Sequence, residues 1–279
     1  MTQSATNQNP AVIRHVHSSI ECVLHTPARL VLQIAVADGP PRLSESLTIN
    51  LDGKPCQVTE IGLAAGGRAH VVLTQPGTLA VDYEASVGPG TTYPQVTETD
   101  RLIYSRPSRY SESDRLFPMA VRELPSVVDT DELTVMNAVA TFVSSRTAYV
   151  VGSSRVTDGA VDTLLANAGV CRDFVHLSVG LLRALGLPAR ATAVYAPGLY
   201  PMDFHAVTEV AIGGRWRIID TTGLAPRQTL VRIATGRDAA DNAFLDVPYG
   251  QLDVIRQEVV ALADPVLPFD DMVSPVQLA

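Results

Sequence analysis

The stretch from Asn167 to Arg190, Asn-Ala-Gly-Val-Cys-Arg-Asp-Phe-Val-His-Leu-Ser-Val-Gly-Leu-Leu-Arg-Ala-Leu-Gly-Leu-Pro-Ala-Arg, constrains the fold more than any other. Val170, Phe174, Leu177, Leu181 and Leu185 recur at helical spacing. Val175, Val179 and Leu182 make the surface apolar almost all round, which predicts a helix inside a domain rather than on its outside. Gly169 breaks whatever precedes it, and Gly186 and Pro188 stop the helix. Cys171 therefore falls in the first turn, where free backbone N–H groups and the positive end of the helix dipole favour a thiolate. A buried cysteine alone is ordinarily a small hydrophobe. A second segment changes that reading.

The second segment runs from Asp203 to Gly223, with two β-rich runs flanking Gly213-Gly214. Such a pair of glycines predicts a two-residue hairpin turn. The register then pairs Ile212 with Arg215, Glu209 with Ile218 and Val207 with Asp220, and sets His205 opposite Thr222. His205 and Asp220 become diagonal neighbours on one face, roughly 7–8 Å apart at the backbone, within reach of an imidazole and a carboxylate. Cysteine, histidine and carboxylate supply a nucleophile, a base and the group that orients the base.

The chain has 279 residues, 46% hydrophobic and 18% charged, enough for one large domain or two ordinary ones with a sizeable core. A net charge of −8 argues against nucleic acid or an anionic membrane surface as partner. No apolar run approaches the ~20 residues of a membrane span. The polar start, Met-Thr-Gln-Ser-Ala-Thr-Asn-Gln-Asn-Pro, lacks the layout of a signal peptide. Cys22, Cys56 and Cys171 show neither disulfide nor zinc spacing. The expectation is a cytoplasmic protein with free thiols.

Taken in order, residues 1–10 are expected to be flexible and 11–100 to form a small β-sandwich. Its strands are read at His15–Leu24, Ala28–Ala37, Glu45–Leu51, His70–Thr74 and Thr78–Val87, with turns at Asp38-Gly, Asp52-Gly, Gly66-Gly and Pro76-Gly. From Gly88 to Pro125 the chain reads as an irregular connection. Asp129-Thr-Asp-Glu caps a helix running to about Ser145, and Thr157–Ala166 is a second, short one. After the cysteine helix come strands at Arg190–Tyr195, in the hairpin, at Leu230–Ala234 and at Val254–Ala261. Residues 101–263 form the catalytic unit in this reading, and 264–279 a loosely held, proline-broken tail. The fold class is α+β, with a helix end docked on an antiparallel sheet.

Gly169-Val-Cys-Arg-Asp-Phe, Ala184-Leu-Gly-Leu-Pro-Ala-Arg, Phe204-His-Ala, Gly214-Arg-Trp-Arg-Ile-Ile-Asp and Gly236-Arg-Asp-Ala-Ala-Asp resemble the bacterial transglutaminase-like (papain-like cysteine peptidase) superfamily. The resemblance covers roughly residues 100 to 245, and the preceding segment is similar to the N-terminal β domain that often accompanies it. It implies a papain-like catalytic domain and a catalytic Cys-His-Asp triad at Cys171, His205 and Asp220. Val207 stands where members commonly carry an aromatic, and Thr221 where they often have Pro or Ala, so an altered substrate cleft is expected.

Rival residues are weighed by geometry. His176 lies about 140° and Asp173 about 200° round the helix from Cys171, so neither shares its face. His176 is read as a core histidine and Asp173 as a cap or an arginine partner. Asp203 is the rival to Asp220 as third member, and Glu209 is too far along the strand. Trp216 is read as core packing. His15 and His17 share a strand face but lack the further ligands of a metal site. The expected oxyanion hole is the Cys171 backbone N–H with one upstream donor, for which Tyr149 is the candidate. The predicted reaction is cysteine-dependent acyl transfer through a thioester, chiefly hydrolysis of a peptide, protein or small amide substrate, with no cofactor or metal. The alternatives are a transglutaminase-type or amide-forming transfer to an amine, and a non-catalytic binding or scaffold module that retains the fold.

Overall fold

Period-two alternation builds the first part of the chain, and the structure, a computed structural model, describes residues 12–279. The expected flexible segment 1–10 lies outside the described residues. In β1 (Ile13–Leu24), Val16, Ile20, Cys22 and Leu24 face inward. After β2 (Ala28–Leu32), β3 (Arg42–Leu51), β4 (Lys54–Pro55), β5 (Val58–Gly62) and β6 (Arg68–Thr74), β7 (Gly77–Val87) repeats the pattern with Leu79, Val81, Tyr83, Ala85 and Val87. The Asp52-Gly53 turn between β3 and β4 has φ of 50° and 75°, the left-handed region that Asp-Gly tolerates.

The helical part holds α1 (Glu98–Tyr104), α2 (Ser113–Glu123) and α3 (Glu132–Arg146), then β8 (Ala148–Tyr149), α4 (Ala160–Ala166), β9 (Ala168–Gly169) and α5 (Cys171–Ala184). It continues with β10 (Ala189–Tyr195), β11 (His205–Ile212), β12 (Arg215–Ile219), β13 (Val231–Gly236) and α6 (Ala239–Asn242), and the chain then adds β14 (Leu245–Tyr249) and β15 (Leu252–Asp264). The sandwich sheets have orders β15-β1-β7-β3-β4 and β14-β2-β6-β5, and the third sheet is β12-β11-β10-β13. Helix α5 crosses the third sheet, burying Phe174, Leu177, Leu181 and Leu182 in a core shared with α2, α3 and β10.

Three expectations are corrected. The connection at residues 88–125 contains α1 and α2. Thr97 and Asp100 close a reciprocal capping box on α1, and α2 buries Leu116 and Ala120 against α5 despite Pro118. The catalytic unit does not extend to residue 263. β14 pairs with β2, and β15 pairs with β1 from Leu252 to Asp264, because β1 and β2 would otherwise be open sheet edges. The C-terminal segment is anchored rather than loose. Arg227 grips Asp270 with Nη2–Oδ1 at 2.7 Å and Nε–Oδ2 at 2.9 Å, the Ile218 N–H donates to the Val276 carbonyl, and Leu278 is buried.

The sandwich and the third sheet also share one core. Val231, Ile233 and Ala234 pack among the sandwich residues. Tyr195 donates its hydroxyl to the Ile34 carbonyl at 2.7 Å, with Ser18 Oγ at 2.9 Å.

Candidate active site

Cys171 opens α5 as its first residue, after Val170 in extended conformation. The cap comes from Asp173, whose carboxylate accepts the Val170 N–H at 2.8 Å and is fully buried. Gly169 is required by this turn, since a Cβ there would stand 2.6 Å from the Asp173 Cβ. Arg172 holds the preceding loop over the helix start, donating to Ser154 Oγ at 3.0 Å, the Arg155 carbonyl at 2.9 Å and Asp173 Oδ1 at 3.1 Å. Asp173 therefore both caps and pairs with an arginine, away from the cysteine's side of the helix.

The hairpin turn has Gly213 and Gly214 at φ 58° and 74°, the two left-handed residues that a twist-matched two-residue turn requires. Ile212 pairs with Arg215 and Glu209 with Ile218. The ladder ends at Thr208–Ile219, earlier than the sequence register suggests. Asp220 leaves it in a turn of its own: Oδ1 accepts the Thr222 N–H at 3.0 Å and the Thr222 hydroxyl at 2.6 Å, with Gly223 at φ 64°. This leaves Oδ2 free to accept from His205 Nε2 at 2.8 Å, both side chains being about 1% exposed. Thr222 is thus not a partner of His205 but the group that aims Asp220. An Asp-Thr-Thr-Gly run is a local turn signal, and it was available in the sequence.

With Nε2 engaged, the second nitrogen of His205, Nδ1, is buried without a hydrogen-bond partner among the described residues. The Cys171 side chain is next to this ring and favours its protonated form. Burial opposes charging the imidazole, but the Asp220 carboxylate and the Cys171 sulfur outweigh it and push the ring up to about 10. Burial also opposes the charge on Asp220, and His205 and Thr222 more than compensate, holding the carboxyl below its usual range. Cys171 is half-buried, whereas Cys22 is buried in the sandwich and burial pushes its thiol up to about 11.

The structure separates Asp203 from this pairing. Its Oδ1 accepts from the Phe204 N–H and from Gln257 Nε2, each at 2.7 Å, and the residue is exposed. Tyr149 packs its ring 6.1 Å from Phe174. Burial pushes its hydroxyl up to about 12, the Cys171 charge adds to the shift, and the Cys171 backbone N–H acts against it. The parallel pairing of Tyr149 with Gly169 sets Tyr149 beside the start of α5.

The departures from the family pattern are both buried. Val207 packs with Val194 and Ile218, and the Thr221 hydroxyl lies 3.3 Å from Ser178 Oγ on α5, tying hairpin to helix. Trp216 is core, edge-on to Tyr104 at 5.6 Å with the Arg190 guanidinium 3.8 Å from its ring centroid. Glu209 is saturated by Arg190 Nε at 2.9 Å, Thr192 Oγ1 at 2.9 Å and Arg232 at 2.7 and 2.8 Å. His176 stacks on Tyr110 at 5.2 Å and accepts the Ala239 N–H at Nε2 at 3.2 Å. Asp238, in the Gly236-Arg-Asp-Ala-Ala-Asp run, accepts the Tyr110 N–H at 2.8 Å and caps α6 through the Ala240 N–H. That run is structural, a role the sequence left unassigned. His15 contacts Ser86 Oγ and His17 contacts Asp82 Oδ2, and the described residues contain no group of three or more His, Cys, Asp or Glu able to hold a metal ion.

A family model described as the transglutaminase-like superfamily matches residues 122–221, a span that contains Cys171, His205 and Asp220. The crystal structure of a candidate cysteine protease from Cytophaga hutchinsonii is 30% identical, with a TM-score of 0.85 over 95% of this chain and 96% of that one. An uncharacterised protein of Mycobacterium leprae is 30% identical over 142 residues, covering 45% of this chain and 50% of its own length. One of Mycobacterium tuberculosis is 32% identical over 181 residues, covering 60% and 51%. The chain spans about half the length of these curated relatives.

Proposed function

Because the chain belongs to the transglutaminase-like superfamily, we propose that it carries out cysteine-dependent acyl transfer, with hydrolysis of a peptide or amide bond as the reaction. The observation that carries this reading is the state of His205: Nε2 is fixed by a buried carboxylate, and Nδ1 is left unpartnered beside a cysteine at a helix start. His70 and His176 also leave a buried Nδ1 without a partner among the described residues, so it is the cysteine beside the open nitrogen, not the open nitrogen itself, that distinguishes His205.

In this mechanism His205 Nδ1 takes the proton of the Cys171 thiol, and Asp220 holds the imidazolium. The thiolate attacks the carbonyl carbon, and the Cys171 backbone N–H with the Tyr149 hydroxyl stabilises the oxyanion. The C–N bond then breaks, the amine leaves with the proton from His205, and a thioester remains on Cys171. Water, deprotonated by His205, attacks the thioester, releasing the acid and restoring the thiol. The half-exposed setting of Cys171 supports water as acceptor.

The test is to incubate the protein with a panel of peptide amides and measure its intact mass. A thioester adduct on Cys171 that decays to free acid in water supports hydrolysis. Decay only on adding an amine assigns transfer to an amine instead, and the lack of any adduct with a thiol alkylated by iodoacetamide only near pH 8.5 supports a non-catalytic module.

A further inference from the structure

The alternation of β1 places Arg14 in the same inward row as Val16 and Ile20, and only 8% of the residue is exposed. A guanidinium taken out of water normally faces a carboxylate, because desolvation costs roughly several kcal/mol per ion. No carboxylate of the described residues lies within ion-pair distance of Arg14. Nη1 donates to the Val12 carbonyl at 3.2 Å, and Nε is buried with no partner among the described residues. Arg14 lines a cavity of about 340 Å³ between β1, the loop at Pro89–Tyr93, the start of β13 and the C-terminal segment. Gln277 lines the same cavity, and its Nε2 is likewise buried and unpartnered. The walls include Pro40, Leu230 and Val266, and no Asp or Glu side chain lines the space; the main-chain end at Ala279 does, beyond ion-pair distance of Arg14.

We propose that this cavity binds a small organic carboxylate, its head group on Arg14 and Gln277 and its hydrocarbon body against Pro40, Leu230 and Val266. An unpaired buried cation and a second unpartnered donor are what an anion would satisfy. The Arg14 guanidinium, with Nη1 already committed to the Val12 carbonyl and the main-chain end of Ala279 also at the wall, suits no more than a monoanion. A phosphate dianion would leave net charge against apolar walls. The volume lies at the small end of ligand sites, about 300–1,000 Å³. The cavity shares no lining residue with Cys171, His205 or Asp220, so the site is independent of the acyl-transfer reading.

Isothermal titration of the full chain with hexanoate tests this, with hexanamide and inorganic phosphate as companion probes. The expected result is saturable binding of hexanoate, at least tenfold weaker binding of hexanamide and of phosphate, at least tenfold weakening of hexanoate in Arg14→Met, and unchanged binding in Cys171→Ala. Arg14→Met is also expected to raise the melting temperature without ligand, since it removes an unpaired buried charge. Should that variant not fold, Gln277→Leu serves, with an expected several-fold loss of hexanoate affinity. The proposal is overturned if hexanoate gives no saturable heat, if hexanamide or phosphate binds as well as hexanoate, or if Arg14→Met (Gln277→Leu where that variant is used) binds it like the parent protein.

Discussion

His205 and His176 are both buried, and their surroundings drive them in opposite directions. His205 faces a carboxylate and a thiol, and its ring is pushed up to about 10. His176 lies under α6, stacked on Tyr110, where burial pushes it down to about 4 although Asp238 pulls the other way. A third buried group, Glu209, lies on the same strand as His205 and has its carboxylate fully engaged by two arginines and a threonine. Burial alone therefore distinguishes nothing here. What sets His205 apart is a charged partner on one nitrogen and an open position on the other, facing a nucleophile.

The largest effect that could break this contrast comes from Cys171→Ala, expected to abolish turnover and adduct formation while the melting curve stays that of the parent protein. Retained turnover would reduce His205 to another packed histidine. Asp220→Asn is expected to lower kcat by about 10²–10⁴-fold, because the amide favours the wrong tautomer of His205. Steady-state kinetics on whichever amide gives an adduct would show it.

Glu209→Gln should leave the chemistry in place but destabilise the fold by about 3–5 kcal/mol, since it strips the countercharge from two buried guanidiniums. Chemical denaturation measures that loss. An effect on kcat with no loss of stability would make the Glu209 network part of the site.

The two histidines also predict opposite limbs of the stability–pH curve. His205 is held above its ordinary 6.5, so its contribution is fully present below pH 6.5 and is lost as pH rises through about 10. His176 is held below 6.5, so the unfolded chain takes up a proton that the native chain refuses, and stability falls from about pH 6.5 to about 4. His205→Gln should flatten the alkaline limb and His176→Gln the acid one in melting temperatures taken across pH. Both variants flattening the same limb would contradict the two environments. The smallest effect is expected from Asp203→Asn, less than about threefold on kcat, since its carboxylate is held by Phe204 and Gln257 rather than by the imidazole. A loss as large as that of Asp220→Asn would reassign the third member.

Local pattern was enough for much of this molecule. The apolar periodicity around Cys171, the glycine pair of the hairpin and the alternation of β1 and β7 each act between near neighbours in the chain, so the helix, the turn and the strands could be read from residues alone. Parity along the hairpin is a local property as well, although Asp220 meets His205 from a turn beyond the end of the ladder. The tertiary structure alone decided three other things. It sent β14 and β15 back into the sandwich, because an open edge of β1 accepts hydrogen bonds from any strand that reaches it, however distant in sequence. It chose Asp220 over Asp203, because Gln257 arrives from β15 to hold Asp203 while Thr222 aims Asp220. It also left Arg14 without a counterion among the described residues, since whether a buried charge finds a partner depends on every segment packed around it.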